Sequence, residues 1–99
     1  MIIDFRHKGL EEFFREGKTG KINPEHLTRI RAILLYLNSM RSEAEILQRA
    51  NWRPHRLTGK NPNGQWVNGH WSLKVSSNWR ITYFFYKGDV TLVDYQDYH

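Results

Sequence analysis

The sequence predicts a small α+β domain in which an N-terminal strand and two or three helices precede one antiparallel β-sheet. Apolar residues recur at helical spacing as far as about residue 48, whereas from residue 70 they alternate with polar residues as in half-buried strands. Helical segments that come before the strands, rather than between them, favour α+β over a parallel α/β sheet. A length of 99 residues, 39% of them hydrophobic, suits a single domain over residues 1–99.

The chain begins with a short strand and a short helix. Residues 2–5 are apolar enough to predict the strand. Residues 8–16 carry their large apolar side chains on one helical face, and Gly17 is a typical residue with which to end that helix.

The second helix is the clearest element. Asn23 and Pro24 are typical of an N-cap and a first helical position, so this helix is expected to begin there. Capping-box spacing between Ser42 and Glu45 predicts a further short helical turn through residue 48. The apolar residues at helical spacing in the second helix are Leu27, Ile30, Ile33, Leu34, Leu37 and Met40.

The second half of the chain reads as a loop and a β-meander. Residues 59–69 have loop chemistry, with two Asn-Gly turn signals. Residues 70–76, 79–86 and 90–95 alternate like strands, and Lys87-Gly88 is a two-residue turn between the last two.

The apolar alternation predicts the register of these strands. Val75 is expected opposite Trp79 across a three-residue loop, because the apolar residues of both strands then share a face. Lys74 follows opposite Arg80 on the other face. The two-residue turn at Lys87-Gly88 is expected to place Arg80 opposite Tyr95. Because alternate residues of a strand share a face, Asp97 and His99 are expected to follow Tyr95 on the face that carries Lys74 and Arg80.

The basic charge is concentrated in one segment. The net charge is +5, from 15 basic and 10 acidic residues, yet no acidic residue occurs between Glu45 and Asp89, where seven Lys or Arg and all four Trp lie. Such a segment attracts polyanions, and its aromatic residues offer surfaces for base stacking. A basic surface that serves only solubility is the alternative. The candidate RNA-binding residues are Arg53, Arg56, Lys60 and Lys74.

Several classes of protein are disfavoured by the composition. There is no cysteine, the N-terminus meets charge at once, and no apolar run approaches the ~20 residues of a membrane span. The five His lack metal-ligand spacing, and no Gly-rich strand–turn–helix unit is present to hold a nucleotide phosphate. The expectation is therefore a cytoplasmic protein with no membrane partner, no metal and no cofactor.

RNA cleavage without a metal needs only a base, an acid and cations that stabilise the phosphorane. Imidazole suits both proton-transfer roles near neutral pH. The candidate catalytic residues of this chain are His55, Arg80, Asp97, Tyr98 and His99.

Three stretches resemble the HigB toxins of the RelE/ParE superfamily of toxin–antitoxin systems. Asn78-Trp79-Arg80-Ile81-Thr82-Tyr83 is similar to their Asn-Trp-Arg-Ile-Thr-Phe run. The ending Tyr95-Gln96-Asp97-Tyr98-His99 is similar to their Tyr-Glu-Asp-Tyr-His terminus, and Phe5-Arg6-His7-Lys8-Gly9-Leu10 matches their Phe-x-His-Lys-Gly-Leu start. The likeness covers nearly the whole chain in the same order.

The resemblance implies a RelE-like fold and a bacterial toxin that cleaves mRNA in the ribosomal decoding site. It implies as partners the ribosome and a helix-turn-helix, HigA-like antitoxin that holds the toxin inactive. Within this family the functional His, the strand Arg and the C-terminal acid, phenol and imidazole fall on His55, Arg80, Asp97, Tyr98 and His99.

Two positions depart from the family pattern. Thr58 stands where the family commonly has Lys, and Ser76 where it commonly has Arg. The loop between the functional His and the first long strand is also longer than usual. The sequence leaves open whether Arg56, Lys60 or Lys74 supplies the missing charge.

Two other functions stay open from the sequence. One is a ParE-like toxin that poisons gyrase, and the other is a non-catalytic nucleic-acid-binding module. The sequence assigns neither the codon preference, nor the oligomeric state, nor which of His55 and His99 is the general acid.

Overall fold

The computed structural model describes residues 1–98 and confirms the predicted α+β architecture, with helices on one face of a four-stranded antiparallel sheet. Its α-helices are α1 (Lys8–Glu16) and α2 (Leu27–Ser39), and short 3-10 helices span Pro24–His26, Glu43–Gln48 and Ala50–Trp52. Its strands are β1 (His55–Arg56), β2 (Trp71–Ser76), β3 (Trp79–Tyr86) and β4 (Asp89–Asp97), which neighbour one another in chain order. Strand β1 was not predicted, because two residues are too few to show an alternation.

The helices begin and end close to the predicted residues. Helix α1 is capped by His7, whose Nδ1 accepts a hydrogen bond from the backbone N–H of Leu10 at 3.1 Å. Gly17 ends it with a left-handed φ of 73°, which the absence of a Cβ permits. The side chain of Asn23 caps the next helical segment as predicted, but that segment opens with a 3-10 turn and becomes α-helical only at Leu27.

One core lies between the helices and the sheet. Trp52 and Trp71 are buried in it, and Trp79 packs against it half-buried. The largest fully buried members are Tyr83, Leu10, Ile30, Ile33, Leu34, Leu37, Met40, Ile46, Leu73 and Ile81. The sheet therefore has a helix-covered face and an opposite face, and the opposite face is called the open face below.

The N-terminal segment forms less of a strand than predicted. It pairs in parallel with β4 through two isolated bridges, Ile2 with Val90 and Phe5 with Val93. Between the bridges the carboxylate of Asp4 accepts hydrogen bonds from the backbone N–H of Leu92 and from the Thr91 hydroxyl. These side-chain hydrogen bonds take the place of backbone hydrogen bonds that a regular parallel strand would make with β4 at this point.

The β2–β3 register is partly as predicted. Lys74 lies opposite Arg80, but Trp79 pairs with Ser76 and not with Val75. The turn is therefore two residues long, Ser77 takes a left-handed φ of 46°, and the extra residue is accommodated as a bulge at Val75.

The predicted β3–β4 register is wrong beyond a bulge at Leu92, which has a φ of 55°. Arg80 lies opposite Gln96, whereas Tyr95 lies opposite Ile81 in the core. A shift of one residue exchanges the faces of every following side chain. The end of β4 is therefore turned over relative to the prediction.

Candidate active site

The open face carries two rows of polar side chains. In the first row the pairing runs across all four strands, from His55 to Ser72, Thr82 and Asp94. In the second row it runs from Lys74 to Arg80 and Gln96. Residues paired across strands point to the same side of a sheet, so the fold brings together three of the sequence-predicted site residues: His55, Lys74 and Arg80.

Lys74 and Arg80 form a pair of opposed cations on this face. The Arg80 Nη1 donates hydrogen bonds to the carbonyl oxygens of Ser77 at 2.7 Å and Trp79 at 3.0 Å, which hold the guanidinium over the β2–β3 turn. Lys74 has no ion pair with another residue of the 1–98 segment. Two cations placed directly opposite on a sheet repel unless an anion lies between them, so the pair suits a phosphate.

His55 is exposed at the sheet edge next to this pair. In the tautomer with its proton on Nδ1, it donates to the Arg53 carbonyl at 3.3 Å and leaves Nε2 as an acceptor. The segment before it is braced by Arg29 of α2, which donates to the carbonyl oxygens of Lys74 at 3.0 Å and Asn51 at 2.9 Å. Sequence reasoning missed Arg29, since nothing in the pattern of α2 marks it.

Tyr98 lies beside the β2–β3 turn that holds Arg80. Its backbone N–H donates to the Asn78 carbonyl at 2.8 Å. Burial, with a further contribution from the carboxylate of Asp94, raises the pKa of the Tyr98 phenol. The phenol therefore keeps its proton at neutral pH. Asp94 is itself buried, which raises the pKa of its carboxyl group.

The structure corrects the predicted position of Asp97. This residue pairs with Trp79, on the side of the sheet opposite to the Arg80 side chain. It lines a cleft of about 340 Å³ at the end of β4, together with His7, Lys21, Pro62, Asn63, Trp79, Tyr95 and Gln96. Asp97 and Arg80 thus do not share a face, and Gln96 lies opposite Arg80, in the place expected for Tyr95. His99, which was predicted to follow Asp97, lies outside the described residues.

The remaining predicted RNA-binding residues do not belong to the row that contains Lys74 and Arg80. Arg56 pairs with Trp71 on the helix-covered side, where its Nη2 is 2.9 Å from the carboxylate of Glu43. Arg53 is exposed at the turn before β1. The Nζ of Lys60 lies 4.9 Å from the centre of the Trp66 ring in the loop before β2.

Three other histidines make contacts within the fold and are not among the candidate site residues. His7 caps α1, and His26 is buried with its Nδ1 at 2.6 Å from the Tyr95 hydroxyl. His70 is buried against the Phe84 ring. Over residues 1–98, no group of three His, Cys, Asp or Glu side chains is placed to hold a metal ion. No helix in that part of the chain is long and apolar enough to cross a membrane.

Comparison with known proteins identifies relatives over the full length. Residues 3–99 match the HigB-like toxin family, described as the RelE-like toxin of the type II toxin–antitoxin system HigB. The chain is also similar to the endoribonuclease HigB of Proteus vulgaris. The two are 35% identical over 99 residues, and the alignment covers 100% of both chains.

Proposed function

The chain belongs to the HigB-like family of RelE-like toxins of type II toxin–antitoxin systems, and we propose that it is an endoribonuclease that cleaves mRNA on the ribosome. The similar Proteus vulgaris protein is named an endoribonuclease. The observation that carries the proposal is the Lys74–Arg80 pair, two cations directly opposite on the open face with His55 in the neighbouring row. The whole of residues 1–99 is taken as one catalytic domain.

The proposed reaction is an attack of the RNA 2′-hydroxyl on the adjacent phosphorus. A base removes the hydroxyl proton, the bond from phosphorus to the 5′-oxygen breaks, and an acid protonates that leaving oxygen. His55 and His99 share the two proton transfers. Lys74 and Arg80 stabilise the charge that develops on the phosphate oxygens. Tyr98 is proposed as a neutral hydrogen-bond donor, and its hydroxyl, which is buried and has no hydrogen-bond partner among residues 1–98, would have to turn outward to reach one of them.

Lys74 is the cation that we propose in place of the family's Lys and Arg at Thr58 and Ser76. Of the candidates left open by the sequence, Arg56 is already paired with the carboxylate of Glu43. Lys74 is opposite Arg80 and half-exposed. The charge needed near the scissile phosphate is therefore supplied from the middle of the sheet.

Asp97 is proposed as a positioning residue. Its place on the other side of the sheet from Arg80 argues against contact with the phosphate held there. A carboxylate at the end of β4 instead orients the last residues of the chain, including His99, toward the substrate.

Membership in a type II system implies a cognate antitoxin. We propose a helix-turn-helix, HigA-like antitoxin, the ribosome with mRNA in its decoding site as the second partner, and the bacterial cytoplasm as the location. Because the proposed catalytic groups are few, we expect the ribosome to position the RNA for cleavage.

Mapping of mRNA 5′ ends tests the proposal. Purified protein is added to translating ribosomes, with Arg80→Ala as the matched control. Cuts within the decoding codon that depend on Arg80 are expected. Intact mRNA together with double-strand breaks in DNA would indicate a gyrase poison instead. Intact mRNA with salt-sensitive RNA binding alone would indicate a binding module.

A further inference from the structure

The long loop before β2 is an ordered hairpin, which we define as the 59–69 hairpin. Its two arms pair through a bridge between Lys60 and Trp66, and the Val67 backbone N–H donates to the Gly59 carbonyl at 2.9 Å. The tip is organised by buried Asn61. Its Oδ1 accepts from the backbone N–H groups of Asn63 at 3.0 Å and of Gln65 at 2.9 Å.

One side of the 59–69 hairpin is fixed to the body of the protein. Val67 is buried, with 1% of its surface exposed. At the tip, Pro62 and Asn63 form one wall of the cleft at the end of β4, whose other wall includes Asp97 and Trp79. The hairpin thus adjoins the end of the strand that leads into the C-terminal candidate residues.

The other side of the hairpin presents an indole to solvent. The Trp66 side chain is 64% exposed, whereas Trp52 and Trp71 are 2% and 7% exposed. The packing of the core does not account for this residue, because its neighbour Val67 supplies the buried contact. The ammonium of Lys60 lies 4.9 Å from the ring centre. No acidic residue lies in the hairpin to repel a phosphate.

We propose that the 59–69 hairpin is a nucleotide-binding subsite for single-stranded RNA, in which Trp66 stacks on an unpaired base and Lys60 contacts an adjacent phosphate. A fixed, exposed aromatic ring beside a cation is the combination that binds single-stranded nucleic acid without sequence readout. The choice of RNA as ligand rests on the proposed function.

Binding without cleavage tests the subsite. The probe is a single-stranded oligoribonucleotide with 2′-O-methyl groups, which cannot undergo attack by a 2′-hydroxyl. We expect it to quench the tryptophan emission of the wild-type chain and to leave the emission of Trp66→Phe almost unchanged. Trp66→Ala should weaken binding about 5- to 150-fold, the range for loss of one stacked base. Trp66→Phe should lose less, since it keeps an aromatic face.

Tyr86→Ala is the matched control. Tyr86 is 54% exposed and has the Lys87 ammonium 5.2 Å from its ring centre, but it lies at the β3–β4 turn. Its loss should leave the affinity unchanged. Lys60→Ala should reduce the dependence of log affinity on log salt concentration by about one phosphate contact.

The outcomes separate this subsite from the proposed function. Equal affinity of wild type and Trp66→Ala, or an absent response of wild type to the probe, would overturn the subsite even if mRNA is cleaved. A Trp66→Ala variant that binds RNA normally but loses its antitoxin would also overturn it and would make the hairpin a protein contact. If wild type cleaves no mRNA yet loses probe affinity in Trp66→Ala, the subsite stands and the nuclease proposal fails.

Discussion

Arg56 and Lys74 are both basic residues of the sheet, but only Arg56 has an acidic partner among the residues described here. The carboxylate of Glu43 is 2.9 Å from the Arg56 Nη2 and also accepts from the Trp71 indole N–H at 2.8 Å. A sequence shows both cations but not which of them is neutralised, because Glu43 comes from a different element. The correct pairing of Lys74 with Arg80 was predictable, since it followed from the apolar alternation alone.

Lys74→Ala should lower mRNA cleavage on the order of 10²-fold, the scale for removal of one electrostatic donor from a transition state. Its half-exposed position means that the melting temperature should change little. Arg56→Ala is the matched control. It should keep a cleavage rate close to wild type, because its charge is already held by Glu43 on the other side of the sheet. The rate of mRNA cleavage is measured on translating ribosomes. If it falls for Arg56→Ala and not for Lys74→Ala, Arg56 and not Lys74 is the cation that acts on the phosphate.

His99→Ala tests the proposed proton transfer at the chain end. Loss of a positioned acid or base typically lowers a rate by roughly 10²–10⁴-fold. Binding to the ribosome should persist, because the basic segment is unchanged. Primer extension on the mRNA measures the cleavage and co-sedimentation measures the binding. Growth arrest by this variant at the wild-type rate would remove His99 from the mechanism.

At the scale of elements, the helices and long strands were predictable, whereas the bulges were not. A strand is indicated by alternation, and β2, β3 and β4 all begin within one residue of the predicted bounds. At the bulge, the Asp4 carboxylate reaches β4 from the other end of the chain and accepts hydrogen bonds from Thr91 and Leu92. We expect these contacts to favour the register in which Gln96, and not Tyr95, lies opposite Arg80. Local patterns cannot indicate a contact between residues so distant in sequence.

Asp4→Ala should therefore change both stability and register. The backbone N–H of Leu92 loses an exposed hydrogen bond, which should lower the free energy of unfolding by about 0.5–1.5 kcal/mol. Without the bulge the end of β4 can slip by one residue, so cross-strand NOEs between Arg80 and Gln96 should weaken and cleavage should fall.

Asp89→Ala is the control for this experiment. Its carboxylate forms an exposed ion pair with the N-terminal amino group at 3.6 Å, so its loss should cost only about 0–1 kcal/mol. Urea denaturation compares the two variants. If Asp4→Ala keeps the NOEs between Arg80 and Gln96, the bulge is set by the strands themselves.

At the scale of the whole molecule, the acidic and basic residues divide unevenly between the two halves of the chain. All acidic residues but three precede residue 46, and the segment that follows is purely basic as far as Lys87. This division was visible in the sequence. The burial of polar groups on the open face was not, because the side chains of Ser72, Thr82 and Asp94 look like solvent-facing positions of half-buried strands. They are buried because the chain before β2 crosses that face, where His70 packs on Phe84.

The burial of His70 predicts a pH dependence of folding. Burial lowers the pKa of the His70 imidazole below its usual 6.5, and the nearby Arg6 guanidinium lowers it further. The folded chain therefore binds fewer protons at this site than the unfolded chain does. Stability from this group is complete above pH 6.5 and is lost as the pH falls from 6.5 through the lowered folded value. Asp94 acts with the opposite sign. Its raised pKa makes stability fall as the pH rises from about 3.8, its usual value.

His70→Gln should flatten the decline in unfolding free energy between pH 6.5 and pH 5, by at most about 1.4 kcal/mol per pH unit for one proton. Some slope should remain, because burial also lowers the pKa of His7, which stays in the variant. His7→Gln gives the complementary curve, although it also removes the cap of α1 and so lowers stability at every pH. Urea titrations at intervals across this range measure both effects. A wild-type unfolding free energy that is constant from pH 6.5 to pH 5 would mean that the open face admits a charged imidazole, and that the chain before β2 does not exclude water from it.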